Sequence, residues 1–171
     1  GLGRSMALAL ANCGASLVIA SVNEEGCERT AAEIRDTHGD KRALGVVTDI
    51  TQLGQCRRLV ARTLENYDRL DVLFNNARRL MRGPGLPPEG NSLPFYQTDP
   101  EIYGQTIAVN VTGTFYMARA AVEHFRESRS GKIVNISTSR RNFSGPRNSP
   151  YGVTKAAVEA ETIIWSGDLV E

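Results

Sequence analysis

The stretch Asp71–Ala77, with the sequence DVLFNNA, joins a short apolar run to an abrupt polar end. Three apolar residues follow Asp71, and two asparagines, Asn75 and Asn76, come directly after them. A short apolar run without alternation is typical of a strand that is buried on both faces of a parallel sheet. In such sheets, ligands bind beyond the carboxyl ends of the strands. The stretch therefore predicts a parallel α/β sheet with a ligand site after its strands.

The same alternation of strand and helix continues along the chain. We expect strands at 17–20, 43–47, 71–74 and 132–136, and helices at 5–13, 24–37, 52–67, from 100 onward, and at 151–169. Strands that alternate with helices are joined by right-handed crossovers and form a parallel sheet with helices on both faces. The sequence predicts one doubly wound α/β domain over residues 1–171, without an internal repeat.

The composition is that of an ordinary globular domain. Of the 171 residues 41% are hydrophobic and the formal net charge is +1, so neither nucleic acid nor an anionic membrane is an expected partner. Cys13, Cys27 and Cys56 are odd in number and far apart, which favours reduced thiols over disulfides or a metal site. No apolar run approaches the ~20 residues of a membrane span. We therefore expect a cytoplasmic protein without a bound metal.

Polar residues follow the other expected strands as well. Ser21 follows the first strand, Asp49 the second, and Ser137–Ser139 the fourth. Because parallel strands end at one edge of a sheet, these hydroxyls and the carboxylate would collect there. Each of them singly is also explained as an ordinary polar turn residue.

Gly1-Leu-Gly3 stands directly before the first helix. Glycines let the backbone approach a pyrophosphate, and the helix N-terminus supplies N–H groups and a positive potential. The fragment fits the tail of a phosphate-binding loop, although a chance Gly-x-Gly before a helix is common.

Tyr151 and Lys155 are four residues apart on one helix, so both side chains lie on the same face. An ammonium group close to a phenol lowers the phenol's pKa, and a phenol tuned in this way can exchange a proton with a carbonyl or alcohol oxygen. Taken alone, the spacing is a weak signal, because most such pairs are ordinary helix surface.

Together these motifs resemble the short-chain dehydrogenase/reductase family along nearly the whole chain. On the cofactor side, Gly1-Leu-Gly3 resembles the end of the family's Thr-Gly-x-x-x-Gly-x-Gly loop, and Asp49 resembles the aspartate that contacts the adenine ring. Asn75-Asn76-Ala77 resembles the Asn-Asn-Ala-Gly motif that braces the central strands. The resemblance implies a Rossmann-like fold.

On the catalytic side, Tyr151 and Lys155 resemble the family's catalytic pair, and Asn110 resembles the asparagine that helps to hold a proton-relay water. The resemblance implies an NAD(P)-dependent oxidoreductase that interconverts an alcohol and a ketone or aldehyde by hydride transfer, with Tyr151 as general acid/base. Lys155 would lower the pKa of the phenol and bind the nicotinamide ribose. The implied cofactor-binding residues are Gly1, Gly3, Ser21, Asp49, Asn75, Ala77, Tyr151 and Lys155.

The chain departs from the family pattern at two residues near the expected catalytic centre. The serine that orients the substrate usually stands thirteen residues before the tyrosine, where this chain has Thr138. A threonine hydroxyl can donate the same hydrogen bond, and Ser139 takes the role if the loop is one residue shorter. Arg78 stands in the place of the glycine of Asn-Asn-Ala-Gly.

A further departure concerns the cofactor. Ser21-Val22 replaces the acidic residue that pairs with the adenosine ribose, and its loss slightly favours NADP over NAD. Arg4 is close enough in sequence to be considered as a phosphate ligand, although a solvated first-turn arginine is the simpler interpretation.

Both ends of the family pattern are missing from the chain. The family's first strand would precede Gly1, and its last two strands and substrate lid would follow Glu171. We therefore expect a fragment of a longer enzyme, incomplete at both ends, and expect the 171-residue chain itself to bind cofactor poorly.

Six arginines follow the third and fourth strands: Arg78, Arg79, Arg82, Arg140, Arg141 and Arg147. They favour an anionic substrate or contact with the cofactor phosphate, and the alternative is solvated loop charge.

Three other expectations complete the hypothesis. The main alternative to an enzyme is an inactive or truncated family member that acts only in binding or assembly. A Rossmann-like methyltransferase shares the glycine loop but gives no reason for Tyr151 and Lys155. The long helix from Pro100 and the last helix would form the interface of a homodimer or homotetramer, because both carry surplus apolar surface.

Overall fold

The computed structural model describes residues 1–80 and 93–170. The helices are α1 (Leu2–Asn12), α2 (Glu24–His38), α3 (Leu53–Tyr67), α4 (Pro100–Ile107), α5 (Gly113–Ser128), α6 (Arg140–Ser144) and α7 (Tyr151–Asp168). The strands are β1 (Leu17–Ser21), β2 (Ala43–Val47), β3 (Val72–Asn75) and β4 (Lys132–Asn135). Short 3-10 turns occupy Asp40–Arg42 and Phe95–Gln97, and a π-helical segment occupies Ala108–Thr112.

The chain forms two compact units. Unit 1 contains Gly1–Asp71 and Arg119–Lys132, and unit 2 contains the described parts of Val72–Ala118 and Ile133–Glu171. The expectation of a single domain over residues 1–171 remains a prediction.

In unit 1, β1 and β2 pair in parallel, from Leu17 opposite Ala43 to Ser21 opposite Val47. Alanines on α1 and α2 bring these helices close to the strands, and the core consists of Ala7, Ala11, Ala31, Ile34 and Ala43. Ile34 is fully buried, and burial of such a side chain contributes roughly 1.5–3 kcal/mol.

Local signals in the sequence set the ends of α2. The Asn23 side chain caps its start by accepting a hydrogen bond from Gly26 N at 3.0 Å. The helix ends at Gly39, whose φ of 102° suits a residue without a Cβ.

β3 and β4, which lie in unit 2 except for Lys132, form the second sheet. The hydrogen bond from Ile136 N to Asn75 O has the same sequence offset as the one from Lys132 N to Asp71 O, which is the pattern of parallel strands. Asp99 caps α4 by accepting hydrogen bonds from Glu101 N and Ile102 N, and Pro100 occupies the first turn as predicted.

The structure differs from the sequence-based expectations in three places. The long helix from Pro100 is interrupted by the π-helical segment, and a short helix, α6, lies inside the predicted loop 137–150. The first helix begins at Leu2 rather than at Ser5, so Gly3 lies in its first turn rather than in a loop.

The strands are also less buried than their apolar sequences predict. Val72 and Phe74 of β3 are each 37% exposed, and Val47 of β2 is 52% exposed. The described strands form two sheets of two strands each.

Candidate active site

Tyr151 and Lys155 lie in the first turns of α7, where the sequence predicts them. The Lys155 ammonium nitrogen is 5.9 Å from the centroid of the Tyr151 ring. Tyr151 is half-buried, whereas Lys155 is only 4% exposed. The helix therefore holds a phenol and an ammonium group on one face, with the cation largely withdrawn from water.

Lys155 is fixed by the end of β4. Its Nζ donates a hydrogen bond to the carbonyl oxygen of Ile136. Burial is the main cause that lowers the pKa of Lys155, and the positive charge of Arg78 lowers the pKa further. One proton of the ammonium group is thus used by the protein, and two remain as donors for a ligand.

Asn110 is 1% exposed and lies in the π-helical segment. Its Oδ1 accepts the Arg79 N–H at 2.7 Å, and its Nδ2 donates to the Arg79 carbonyl at 3.1 Å. The second proton of Nδ2 is directed to Thr154 Oγ1 at 3.2 Å. One amide side chain thereby joins the loop after β3 to the helix that carries Tyr151 and Lys155.

Both N–H protons of Asn110 are committed to these contacts, so the side chain acts first as a brace. The proton-relay role that the resemblance implies for Asn110 remains a prediction. The backbone carbonyl oxygen of Asn110 accepts a hydrogen bond from the Thr114 hydroxyl at 2.9 Å.

Thr154 and the backbone of Arg79 are partners in this site that no motif in the sequence predicts. Thr154 is completely buried, and its hydroxyl donates to Tyr151 O at 2.7 Å while it accepts from Asn110. The available signal was a polar residue between Tyr151 and Lys155 on the same helix, because a buried hydroxyl requires a partner.

The two candidates for the substrate-orienting hydroxyl lie just after β4. Thr138 is half-buried, and Ser139 is exposed at the start of α6. The neighbouring Ser137 is engaged elsewhere, because its hydroxyl donates to Glu159 Oε1 at 2.6 Å. Thr138 is two residues beyond Ile136, whose carbonyl binds Lys155.

Asn75 braces the second sheet. Its Nδ2 donates to Asn135 Oδ1 at 2.9 Å, and Asn135 in turn donates to Thr162 on α7 at 2.8 Å. This contact matches the bracing role that the resemblance implies for the motif. Ala77, two residues later, is exposed.

The remaining candidates belong to unit 1. Gly1 caps α1 and Gly3 lies in its first turn, so both are at a helix N-terminus. Ser21 ends β1, and its hydroxyl accepts a hydrogen bond from Asn23 N at 3.2 Å. Asp49 Oδ1 accepts hydrogen bonds from the backbone and the hydroxyl of Thr51, at 2.9 and 2.7 Å.

Arg4 lies exposed in the first turn of α1, which agrees with the simpler interpretation of a solvated arginine. Arg4 forms a two-pronged ion pair with Glu33 of α2, with Nε 3.0 Å from Oε2 and a terminal nitrogen 2.5 Å from Oε1. A guanidinium in a bidentate pair is less available to a cofactor phosphate.

The described cysteine, histidine and acidic side chains form neither a disulfide nor a metal site. Cys13, Cys27 and Cys56 are free thiols, and burial is the largest cause that raises the pKa of Cys27 and Cys56. Over residues 1–80 and 93–170, no group of three or more His, Cys, Asp or Glu side chains is arranged to hold a metal. None of the described helices is both long and apolar enough to cross a bilayer.

The sequence model of the short-chain dehydrogenase family matches residues 1–169. The chain belongs to the short-chain dehydrogenase family. An uncharacterized oxidoreductase of Thermotoga maritima is 32% identical over 171 residues, which are 100% of this chain and 62% of that protein. The 11-beta-hydroxysteroid dehydrogenase A of Sesamum indicum is 33% identical over 158 residues, which are 92% of this chain and 42% of that protein. The chain therefore spans less than two thirds of the length of these relatives.

Solved structures confirm the Rossmann-like α/β fold. The sorbitol-6-phosphate 2-dehydrogenase of Erwinia amylovora superposes with a TM-score of 0.87 at 23% identity, over 99% of this chain and 62% of that one. An NAD+-bound xylitol dehydrogenase superposes with a TM-score of 0.85 at 27% identity, over 98% of this chain and 60% of that one. This chain therefore contains only part of the fold of these neighbours.

Proposed function

We propose that the protein carrying this chain is an NAD(P)-dependent oxidoreductase that interconverts an alcohol and a ketone or aldehyde. The observation that carries the proposal is the pair on α7, with the Tyr151 ring 5.9 Å from the buried ammonium of Lys155. Family membership supports it, because the similar proteins named above include two dehydrogenases of small molecules and one bound to NAD+.

The donors in the chain fit a nicotinamide cofactor. Lys155 has two protons left after its bond to Ile136 O, which suits the adjacent hydroxyls of a ribose. Gly1 and Gly3 lie at the N-terminus of α1, where backbone N–H groups and the positive end of the helix dipole suit a phosphate. The proposed cofactor-binding residues are Gly1, Gly3, Ser21, Asp49, Asn75, Ala77, Tyr151 and Lys155.

When bound, the cofactor supplies or accepts the hydride. Tyr151 donates a proton to the carbonyl oxygen in reduction and takes it from the hydroxyl in oxidation. The ammonium of Lys155 stabilises the negative charge that develops on the phenol oxygen. The hydroxyl of Thr138, or of Ser139, donates a hydrogen bond to the substrate oxygen, and Asn110 holds the loop and the helix in register.

The proposed preference for NADP rests on Ser21 alone. A serine at the end of β1 does not repel a 2′-phosphate as an acid would. Arg4 contributes little to this preference, because its guanidinium is paired with Glu33.

We propose a homodimer or homotetramer that associates through α4, α5 and α7. Ile163 and Ile164 on α7 are 74% and 60% exposed, and Phe115 on α5 is 43% exposed. Apolar side chains left open on long helices are typical of subunit interfaces. The proposed location is the cytoplasm, in agreement with three reduced cysteines.

The experiment that tests the function uses the full-length protein and follows oxidation of NADPH and NADH with a panel of ketones and aldehydes. The panel should include at least one carbonyl compound that is turned over, and Lys155→Met should abolish the turnover. The matched control is Lys132→Met, which removes an exposed lysine from β4. Equal loss in both variants, or turnover that survives Lys155→Met, contradicts the proposal.

A further inference from the structure

The loop after β3 carries two adjacent arginines, Arg78 and Arg79, where the family motif has a glycine followed by the rest of the loop. Arg78 is exposed and Arg79 is half-buried. Neither forms an ion pair with a carboxylate in the part of the chain that the structure describes. Two positively charged residues are therefore adjacent in the chain without a described counter-charge.

The backbone of Arg79 is held rigidly. Asn110 binds both its N–H and its carbonyl, at 2.7 and 3.1 Å, and Asn110 is itself 1% exposed. The rigid anchor fixes the start of the Arg79 side chain, which reduces the entropy lost when the guanidinium binds a ligand.

The Nε of Arg79 is buried and has no hydrogen-bond partner among the described residues. A buried donor of a charged group without an acceptor is costly, so it requires an explanation. Arg42 also has a buried unpaired Nε, but its terminal nitrogen donates to Ala15 O at 3.1 Å. An anion bound at the terminal nitrogens would offset the uncompensated charge of the half-buried Arg79 side chain.

The same loop acts on the catalytic helix. Burial is the largest cause of the lowered pKa of Lys155, and electrostatic repulsion by the positive charge of Arg78 is the second. Asn110 also binds Thr154, the residue before Lys155. The loop thus belongs to the surroundings of the proposed catalytic pair, and the charges of Arg78 and Lys155, which act on each other, favour a bound anion.

We propose that Arg78 and Arg79 bind an anionic oxygen group, a carboxylate or a phosphate, of a ligand of the proposed active site. The inference rests on the proposed function and names the chemistry of the ligand. The group comes either from the substrate or from the phosphates of the cofactor, since both present the paired oxygens that a guanidinium recognises.

The first test needs no turnover. The thermal midpoint of the full-length protein is measured in sodium phosphate and in sodium chloride of equal ionic strength. Phosphate should raise the midpoint of the wild-type protein by at least ~2 °C more than that of Arg78→Gln/Arg79→Met, since the general salting-out effect of phosphate is common to both. Methionine keeps the apolar stem of Arg79 and leaves its backbone free to bind Asn110.

The matched control is Arg57→Gln/Arg58→Gln, which removes two adjacent exposed arginines from α3 and changes the net charge equally. This control should respond to phosphate as the wild type does. If the first double variant does not fold, Arg78→Gln alone decides, because Arg78 is exposed. Equal phosphate responses in wild type, variant and control, or no response in any of them, would overturn the proposal.

The second test distinguishes the two sources of the anion. Two quantities are measured for the wild type and for the double variant. One is the ratio of kcat/KM for a carboxylated carbonyl compound to kcat/KM for its methyl ester, and the other is the Kd of NADPH from fluorescence titration. If the anion is part of the substrate, Arg78→Gln/Arg79→Met lowers the ratio by roughly 10-fold or more and leaves the Kd unchanged. If it is a cofactor phosphate, the Kd rises and the ratio stays constant. A protein that shows the phosphate response but turns over no carbonyl compound refutes the proposed function and keeps the anion site.

Discussion

Asn110 binds the backbone of Arg79 through two hydrogen bonds, one accepted from its N–H at 2.7 Å and one donated to its carbonyl at 3.1 Å. The amide side chain thus satisfies both backbone groups of Arg79, as the backbone of a neighbouring strand does in a sheet. Its remaining proton reaches Thr154, so a loop and a helix that are distant in sequence depend on a single buried side chain.

Asn110→Ala should lower the free energy of unfolding by about 2–4 kcal/mol, because it leaves the Arg79 backbone and the Thr154 hydroxyl short of partners and opens a small cavity. Urea denaturation of the full-length protein measures the change. The control is Asn66→Ala, whose amide donates to Arg62 O on the exposed side of α3 and should cost less than about 1 kcal/mol. Equal costs in the two variants would show that Asn110 is not a brace.

Thr154→Val should destabilise the protein by about 1–3 kcal/mol, because valine has the same shape but leaves Asn110 Nδ2 without its acceptor. Thr154→Ser retains the hydroxyl and should cost less. Thr63→Val provides the comparison, since the Thr63 hydroxyl is buried but bonds only to Leu59 O in its own helix. The same loss for Thr154→Val as for Thr63→Val would argue against the contact with Asn110.

The lowered pKa of Lys155 predicts a pH dependence of stability. The unfolded state holds this proton more tightly than the folded state, so Lys155 contributes stability above the unfolded pKa of ~10.4 and loses it as the pH falls through the folded pKa. The unfolding free energy of the wild type minus that of Lys155→Met should therefore increase as the pH rises toward ~10.4. A difference that is constant or shrinks over this range contradicts the assignment, and Arg78→Gln should weaken the slope.

The stability contributed by Glu161 on α7 should depend on pH in the opposite direction. Burial raises the pKa of its carboxyl group, and Oε2 is buried without a partner among the described residues. A raised carboxyl pKa gives stability that is present below the unfolded value of ~4.3 and lost as the pH rises through the folded pKa. Glu161→Gln should therefore raise the thermal midpoint at neutral pH, and the gain should vanish in acid. Glu127→Gln, an exposed control on α5, should change neither.

The fold followed from the sequence because its signals are local. The strand at 43–47 was predicted at the residues where β2 lies, and the asparagine before α2 and the proline of α4 mark helix starts by their own chemistry. The family was also within reach, because its motifs are short and stand in fixed order along nearly the whole chain.

The contacts of the site were less accessible. Asn110 and Arg79 are 31 residues apart, and Asn110 and Thr154 are 44 residues apart, so no local pattern joins them. The π-helical segment around Asn110 was also not predictable, because the spacing of apolar residues there is that of an ordinary α-helix. Arg82 and the rest of 81–92 lie outside the described residues, so the expectation for that arginine stays a prediction.

The central claim is that Tyr151 transfers the proton at the substrate oxygen. Tyr151→Phe removes only the phenol oxygen, and the control Tyr103→Phe makes the same change on α4, at a side chain that is 36% exposed. The kcat for NADPH-dependent reduction by the full-length protein is measured with a carbonyl compound that the wild type turns over. We expect kcat to fall by roughly 100-fold or more for Tyr151→Phe with cofactor binding retained, and to change by less than about 2-fold for Tyr103→Phe. A Tyr151→Phe variant that keeps the wild-type kcat would contradict the central claim.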